Sequence, residues 1–536
     1  MSIPQQLLNE WVPLKQAVLA RPLVAALVPL FVALLLKSYF GKKKRDINAR
    51  NLPLPPGPKR YPLVGNLLQM PQVYPWIVYD KWGKEYGDLT YLEVMGQRII
   101  ICNNVASISH IFEKRAVNTS ERLWMPIFDL LKLDWAFPFM NYTPFWKLHR
   151  RDFHQHLGPM QIHVYRPIIK NQLFKHLREM IANPDDFRNQ TRSFLGLTIM
   201  RIGYGINDAK YNENLIVKAQ AVNQGFSEAS IAGRYLVNYL PILKLVPAWF
   251  PGAAWRRHLD SVGRISQEVS RVPFKEAKER VQNGVSDEHP SVVRGLIDAL
   301  PAESDPSYEE RAIVARNVAA IGYIAGSDTS LSGVYGMILA LGMHPEVLRK
   351  AQKELDSVVG PDRLPVPDDF EHCHYVQAII KESARWHTVG PLSLPHISKN
   401  EDEYNGYFLP AGTVFLPNTW AVMHDPVRFP DPMAFKPERY LTKEGKFNKE
   451  VLDPDFGVFG YGRRMCPGRF LSTDIHAYYT MLMIYIFNIG PRKDANGKEI
   501  PLKYEIGSET ICTPAPFLVD IRPRSPKHAA LVTSSA

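Results

Sequence analysis

The sequence predicts a mainly α-helical fold with small β-sheets, preceded by one apolar N-terminal helix. Three observations carry this reading. From about Pro144 onward most of the chain has helical hydrophobic spacing, broken by loops that contain Pro and Gly. Strand-forming residues gather in a few short stretches. An uncharged run, Pro22 to Leu36, stands near the N-terminus.

That run reads PLVAALVPLFVALLL between Arg21 and Lys37, whose charged heads can snorkel to an interface. With Ala17–Ala20 and Ser38–Phe40 it approaches the roughly 20 residues that a bilayer requires. Pro29 is tolerable in such a helix. A cleaved signal peptide would carry its basic residues first and a small-residue cleavage site after. Here the stronger basic cluster, Lys42 to Arg45, follows the run. A buried soluble helix is the other alternative, but few are apolar on every face. The expectation is therefore a signal-anchor at 22–40 behind an N-terminal segment, 1–21, with everything after the basic cluster cytosolic. The sequons at Asn118, Asn141 and Asn189 would then go unused. Residues 41–58 form a basic, proline-rich linker whose clustered prolines make a stiff spacer.

Beyond the linker, Asp88 to Cys102 reads as two strands around Met95-Gly96-Gln97, with Thr90, Leu92 and Val94 alternating in the first. Short strands return near Tyr404–Leu416 and Glu509–Ile521. Between them lies a helical stretch from about Ala312 to Gly342. The tail, 524–536, is polar and is expected to be flexible.

The net charge of +11 admits anionic lipid, an acidic protein or nucleic acid as partner. No basic helix interleaved with aromatics and no nucleic-acid motif is present, so nucleic acid ranks last. The four cysteines, Cys102, Cys373, Cys466 and Cys512, form no C-x-x-C pair. That argues against a zinc site or a disulfide framework and fits a reducing compartment.

The most informative stretch is Phe459-Gly460-Tyr461-Gly462-Arg463-Arg464-Met465-Cys466-Pro467-Gly468. A thiolate that ligates a metal needs a tight turn and nearby backbone N–H donors. Gly462 and Gly468 lack a Cβ, so positive φ and close approach to a flat cofactor are expected there. Arg464 can pair with an acidic group of that cofactor. Taken alone, a single cysteine is most often a small buried hydrophobe and an arginine pair a solvated face.

The stretch fits F-x-x-G-x-R-x-C-x-G throughout and resembles the cysteine-ligand loop of the cytochrome P450 family, the haem-thiolate monooxygenases. Four further segments resemble the same family, in its order. Trp146-Lys147-Leu148-His149-Arg150 is similar to W-x-x-x-R, with both residues on one helix face. Ala325-Gly326-Ser327-Asp328-Thr329 resembles the A/G-G-x-D/E-T segment of the long central helix. Outside that setting, an Asp-Thr pair in a helix is most often a surface pair. Glu382-Ser383-Ala384-Arg385 with Arg439 resembles E-x-x-R and its later arginine, a buried triad that braces the approach to Cys466. The proline-rich linker is similar to the hinge of the family's anchored members. Wording around Asn418–Ala421 looks like the fungal families of secondary metabolism and xenobiotic oxidation.

The resemblance implies the P450 fold over a single domain, 59–523, and a haem b cofactor. Cys466 would be the metal ligand. Cofactor binding would fall to Cys466, Trp146, Arg150, His396, Arg464 and Phe459, with the propionates held by Trp146, Arg150, His396 and Arg464. Asp328 and Thr329 would be catalytic, delivering protons during oxygen activation. Thr329 can also hydrogen-bond its own i−4 carbonyl. The implied activity inserts one atom of dioxygen into a lipophilic small molecule: a terpenoid, steroid, polyketide or polycyclic aromatic. The segments expected to line substrate are 124–139, 226–255, the central helix before Thr329, 389–394 and 511–514. No flavin or nicotinamide motif is present, so electrons would come from NADPH through a cytochrome P450 reductase, sometimes with cytochrome b5. The location would be the endoplasmic reticulum membrane. A non-oxygenating haem-thiolate isomerase or dehydratase, or a haem-binding sensor, is the alternative; the presence of both Asp328 and Thr329 argues against it.

Overall fold

The computed structural model describes residues 48–534 except 232, 286 and 287. The anchor expected at 22–40 lies outside the described residues. Among those described, no single helix is long and apolar enough to cross a membrane.

The main elements, in chain order, are α1 (Pro75–Tyr86), β1 (Leu89–Val94), β2 (Gln97–Cys102), α2 (Pro144–Leu157), α3 (Arg166–Ala182), α4 (Phe187–Tyr204), α5 (Ala209–Ser230) and α6 (Ala254–Gln282). Then follow α7 (Tyr308–Met343), α8 (Pro345–Val359), α9 (His374–Trp386), β3 (His396–Ile397), β4 (Asp402–Tyr404), β5 (Tyr407–Leu409) and β6 (Val414–Pro417). The last are α10 (Arg469–Ile486), β7 (Phe487–Pro491), β8 (Val519–Pro523) and α11 (Pro526–Thr533). The chain is thus mainly helical with small sheets, as expected.

Two compact units are distinguished. The described part of the smaller comprises residues 48–54 and 401–411. Its β4–β5 hairpin turns at Asn405 and Gly406, both at positive φ, and the Phe408 amide donates to the Pro53 carbonyl at 2.8 Å. The larger unit holds the rest, including every residue of the site below.

In the larger unit β1 and β2 form the expected hairpin, turning at Met95 (φ 50°) and Gly96 (φ 85°). Two consecutive positive-φ residues match the right-handed twist of the strands. The sheet order is β1-β2-β6-β3, with β6 parallel to β2 and antiparallel to β3. This sheet carries His396 into the buried interior, opposite Phe415.

The 36-residue helix α7 runs about 54 Å through the molecule. Glu309 and Glu310 sit in its first turn, where the helix dipole favours negative charge. It stops at His344, whose following Pro345 disfavours helical backbone. Most of its length is buried, as its near-continuous apolar sequence requires. Ala325 and Thr329, one turn apart, are exposed within this buried stretch.

One expectation needs correction. Within the described residues the tail is not free: Ser525 caps α11, whose Val532 is fully buried, and Arg524 pairs with Asp356 at 2.7 Å. Its polar composition hid one apolar stripe and a distant acid. The stretch expected to form strand near Glu509–Ile521 ends in β8, which pairs antiparallel with β7, directly after α10.

Candidate haem-thiolate site

The Cys466 loop is built from backbone constraints. Its amide donates to the Phe459 carbonyl at 2.7 Å, closing a tight turn. Gly460 and Gly462 hold φ of 78° and 54°. A Cβ on Gly462 would also collide with the Phe112 carbonyl oxygen. Gly468 differs from expectation: its φ is −81°, an ordinary value for any residue. A Cβ there would meet Cys466 Sγ and the Phe153 ring at 3.9 Å, an ordinary contact distance, so both neighbours border Gly468 without excluding a side chain.

Cys466 stands at the N-terminus of the 18-residue helix α10. Its side chain is exposed, yet surrounding protein desolvates it enough to raise the thiol pKa. Both facts hold for a thiol that opens on a recess rather than on bulk solvent. The Gly468 and Arg469 amides, Arg150 and Arg469 oppose the rise by favouring the thiolate. Arg150 donates to the Met465 carbonyl at 2.6 Å, which ties α2 to the loop. The Phe153 ring lies 3.7 Å from where a Cβ on Gly322 of α7 would stand. One ring therefore bridges the cysteine loop and the central helix.

A second group gathers beside it. The Arg464 guanidinium lies over the Trp146 ring at 4.2 Å and is 7% exposed. Its Nε and Nη2 donate to the carbonyls of Ser120 and Met140 at 2.7 and 2.8 Å. Among the described residues its Nη1 and the Trp146 Nε1 are buried without a partner. Burial pushes the Arg464 pKa down to about 10. His396 donates from Nδ1 to the Thr119 carbonyl at 2.6 Å. Burial first, then Arg122 and Arg464, hold its pKa well below the usual histidine range.

Arg122 went unrecognised in the sequence. It donates to the carbonyls of Pro138, Leu394 and Pro395 at 3.1, 2.8 and 2.7 Å. Desolvation and the nearby Arg464 depress its pKa. It sits in no motif, and its partners lie 16 to 273 residues away. The carboxylate acting on Arg464, Glu121, is already engaged by Lys399 at 3.2 Å and the Tyr142 amide at 2.8 Å. Buried cations with unfilled donors fit an anionic ligand. Haem, with two carboxylates and an iron that takes a thiolate, fits both the donor cluster and the accessible Cys466.

On α7 the Thr329 hydroxyl donates to the Ala325 carbonyl at 2.8 Å. Asp328 accepts from Asn223 of α5 at 2.7 Å, and the same amide reaches the Ile324 carbonyl at 3.0 Å. Burial raises the Asp328 pKa, against the opposing hydrogen bonds of Asn223 and Gln220 and the charge of Arg192.

Two pairs of the segments expected to surround substrate meet. Phe128 and Phe139 pack on Phe226 of α5 at ring distances of 6.0 and 4.8 Å, and Trp124 packs edge-on to Phe128 at 5.5 Å. The Cys512 amide donates to the Val389 carbonyl at 2.8 Å. Glu382, Arg385 and Arg439 form the expected buried triad, with contacts of 2.7 and 3.3 Å to the carboxylate.

Comparison with known proteins agrees with this geometry. The family model described as Cytochrome P450 matches residues 55–508. Cytochrome P450 monooxygenase COX1 of Coprinopsis cinerea is 48% identical over 510 residues, covering 95% of this chain and 98% of that protein. O-methylsterigmatocystin oxidoreductase of Aspergillus flavus is 34% identical over 487 residues, 90% of each chain. Tryptamine 4-monooxygenase of Psilocybe cyanescens is 32% identical over 507 residues, covering 93% of this chain and 98% of that protein. Such similarity over nearly the whole length, around a cysteine loop of this form, means that the chain belongs to the cytochrome P450 family and is a monooxygenase of organic substrates.

Proposed function

We propose that Cys466 ligates haem b through its thiolate, that Trp146, Arg150, Arg464 and His396 hold the propionates, and that Phe459 borders the cofactor, with Arg150 also steadying the loop through the Met465 carbonyl. The supporting observation is the coincidence of an accessible thiol with buried donors lacking partners. Haem bound through a thiolate supplies the activation of dioxygen, with one oxygen atom passing to substrate and the other to water.

The protein's part is to bind, orient and move protons. Asp328, with its raised pKa, carries a proton more readily than an exposed carboxylate. Asn223 fixes its position. Thr329 donates its own hydrogen to Ala325, which leaves its oxygen lone pairs as acceptors. A proton held on Asp328 can therefore be relayed past Thr329 Oγ1.

The aromatic cluster of Trp124, Phe128, Phe139 and Phe226 suits a lipophilic polycyclic or terpenoid substrate. Fungal relatives act on small organic molecules by name, which supports a role in secondary metabolism. Leu245 and Trp249, 79% and 78% exposed, lie on an apolar segment suited to a lipid surface. Together with the sequence at 22–40 this supports an endoplasmic reticulum anchor. Electrons come from NADPH through a separate reductase, with cytochrome b5 as a second donor. Exposed Arg151 and Arg463 offer it a basic face.

The test is the carbon monoxide difference spectrum of the dithionite-reduced protein. A red-shifted Soret band that Cys466→Ala abolishes is expected. Thr329→Ala should keep the band while NADPH consumption runs ahead of product. A band of the histidine-ligated kind in wild-type protein would overturn the ligand assignment.

A further inference from the structure

Behind Asp328, the helices α4, α5 and α7 enclose polar atoms that the protein leaves unsatisfied. Tyr204, at the end of α4, and Tyr323, in α7, are 1% and 2% exposed. Among the described residues neither hydroxyl has a hydrogen-bond partner, nor has Oδ1 of Asn212 at the start of α5. Buried polar atoms of this kind are normally completed by ordered water.

Helix packing brings the two orphaned tyrosines toward each other. The Ile199 side chain of α4 lies 3.3 Å from where a Cβ on Gly326 of α7 would stand. Further along, the Tyr335 hydroxyl of α7 donates to the Arg188 carbonyl of α4 at 2.6 Å. The two helices are therefore antiparallel there, which carries Tyr204 toward Tyr323. Tyr323 lies five residues before Asp328 on the same helix. At the outer end the Tyr211 hydroxyl donates to Glu276, a partly exposed residue of α6. Electrostatic influence follows the same file. Beyond burial, Asp328 and Tyr204 act on Tyr323, Tyr211 acts on Tyr204, and Glu276 acts on Tyr211.

We propose that Tyr211, Tyr204 and Tyr323, with water bound at the orphaned hydroxyls, form a proton path from Glu276 at the surface to Asp328. It rests on the reading above that Asp328 supplies protons at the site. A proton enters from solvent at Glu276. Each hydroxyl or water accepts a proton on its outer side and passes its own inward. The net result is one proton moved to the Asp328 carboxylate, with no electron transferred and no phenol left ionised. Burial disfavours phenolate at all three tyrosines, so transfer runs by concerted hopping. The other groups facing Asp328 are Asn223 and Gln220 from α5 and the exposed Arg192 from α4. Arg192 marks the rival entrance.

Two measurements on the full-length, haem-loaded protein decide this. A high-resolution crystal structure should show water within hydrogen-bond distance of the Tyr204 and Tyr323 hydroxyls; a dry enclosure overturns the path. The rate at which Asp328 takes up a proton after a pH jump can be followed by its carboxylic acid infrared band, assigned by its loss in Asp328→Asn. Tyr323→Phe and Tyr204→Phe keep the rings in place and should slow uptake about tenfold, the cost of roughly one hydrogen bond at the transfer step. Unchanged rates in both variants overturn the proposal. Slowing in Arg192→Gln alone also overturns it. This uptake does not depend on the axial ligand, so a failed thiolate assignment would appear in the carbon monoxide spectrum instead.

Discussion

Two buried charge clusters in this molecule look alike in composition and differ in bookkeeping. Around Glu382, all five N–H groups of Arg385 are used, by the carboxylate and by the carbonyls of Met423, Pro432 and Ala434. Around Trp146, Arg464 keeps one buried nitrogen without a partner among the described residues, and so does the indole. Arg122 and His396 add basic groups there without adding a free carboxylate. The first cluster is closed and holds loops together. The second is open and calls for an anion from outside the chain. Fully satisfied buried charge marks a brace; partly satisfied buried charge marks a binding site.

Removing the centre of the closed cluster should have the largest effect. Glu382→Gln leaves two buried guanidinium groups without their counter-charge, and a loss of about 3–5 kcal/mol is expected. Thermal unfolding of the haem-free protein measures it. A loss near zero would mean that the triad braces nothing.

The open cluster should respond differently. Arg464→Met removes hydrogen bonds to two carbonyls, and roughly 1–3 kcal/mol of haem-free stability is expected to go with them. Haem retention after gel filtration should fall far more than that stability does. Equal retention by Arg464→Met and wild type would close the distinction between the clusters.

The smallest effect is set by pH. Each cluster contains a neutral histidine beside arginine. His424 is depressed to about 3, by burial and then by Arg385. His396 is depressed by burial and then by Arg122. The unfolded chain binds protons near pH 6.5 that these folded histidines refuse. Each therefore contributes stability that is present above about pH 6.5 and is lost as pH falls toward the folded pKa, at about 1.4 kcal/mol per pH unit. Denaturant unfolding at pH 6.5 and 5.5 should show a shallower acid loss in His424→Asn and in His396→Asn when haem is absent. With haem loaded, only His424→Asn should flatten the slope, since an anion near His396 restores its proton affinity. Flattening by both variants in loaded protein would count against an anion at the open cluster.

Much of this was legible in the sequence where the signal is local. The hairpin at Met95-Gly96, the helix carrying Asp328 and Thr329, the Glu382–Arg385 spacing and the Cys466 loop are all set by residues within one or two turns. What escaped depends on long-range geometry. Arg122 is one arginine in a loop until Leu394 and Pro395 arrive from 272 and 273 residues away. Asn223 becomes the partner of Asp328 only when α5 crosses α7, 105 residues apart in sequence. Gly468 was expected at positive φ because glycine permits it, but the start of α10 requires an ordinary φ.

The closing helix α11 bears on how this enzyme should be handled in the laboratory. Ser525 caps it, Arg524 moors it to Asp356, and His528 packs edge-on to Tyr485 at 5.2 Å. Trimming the polar C-terminus to tidy an expression vector would uncover Tyr485 and the pocket of Val532. An affinity handle belongs after the last residue, on a spacer, rather than in place of that final turn.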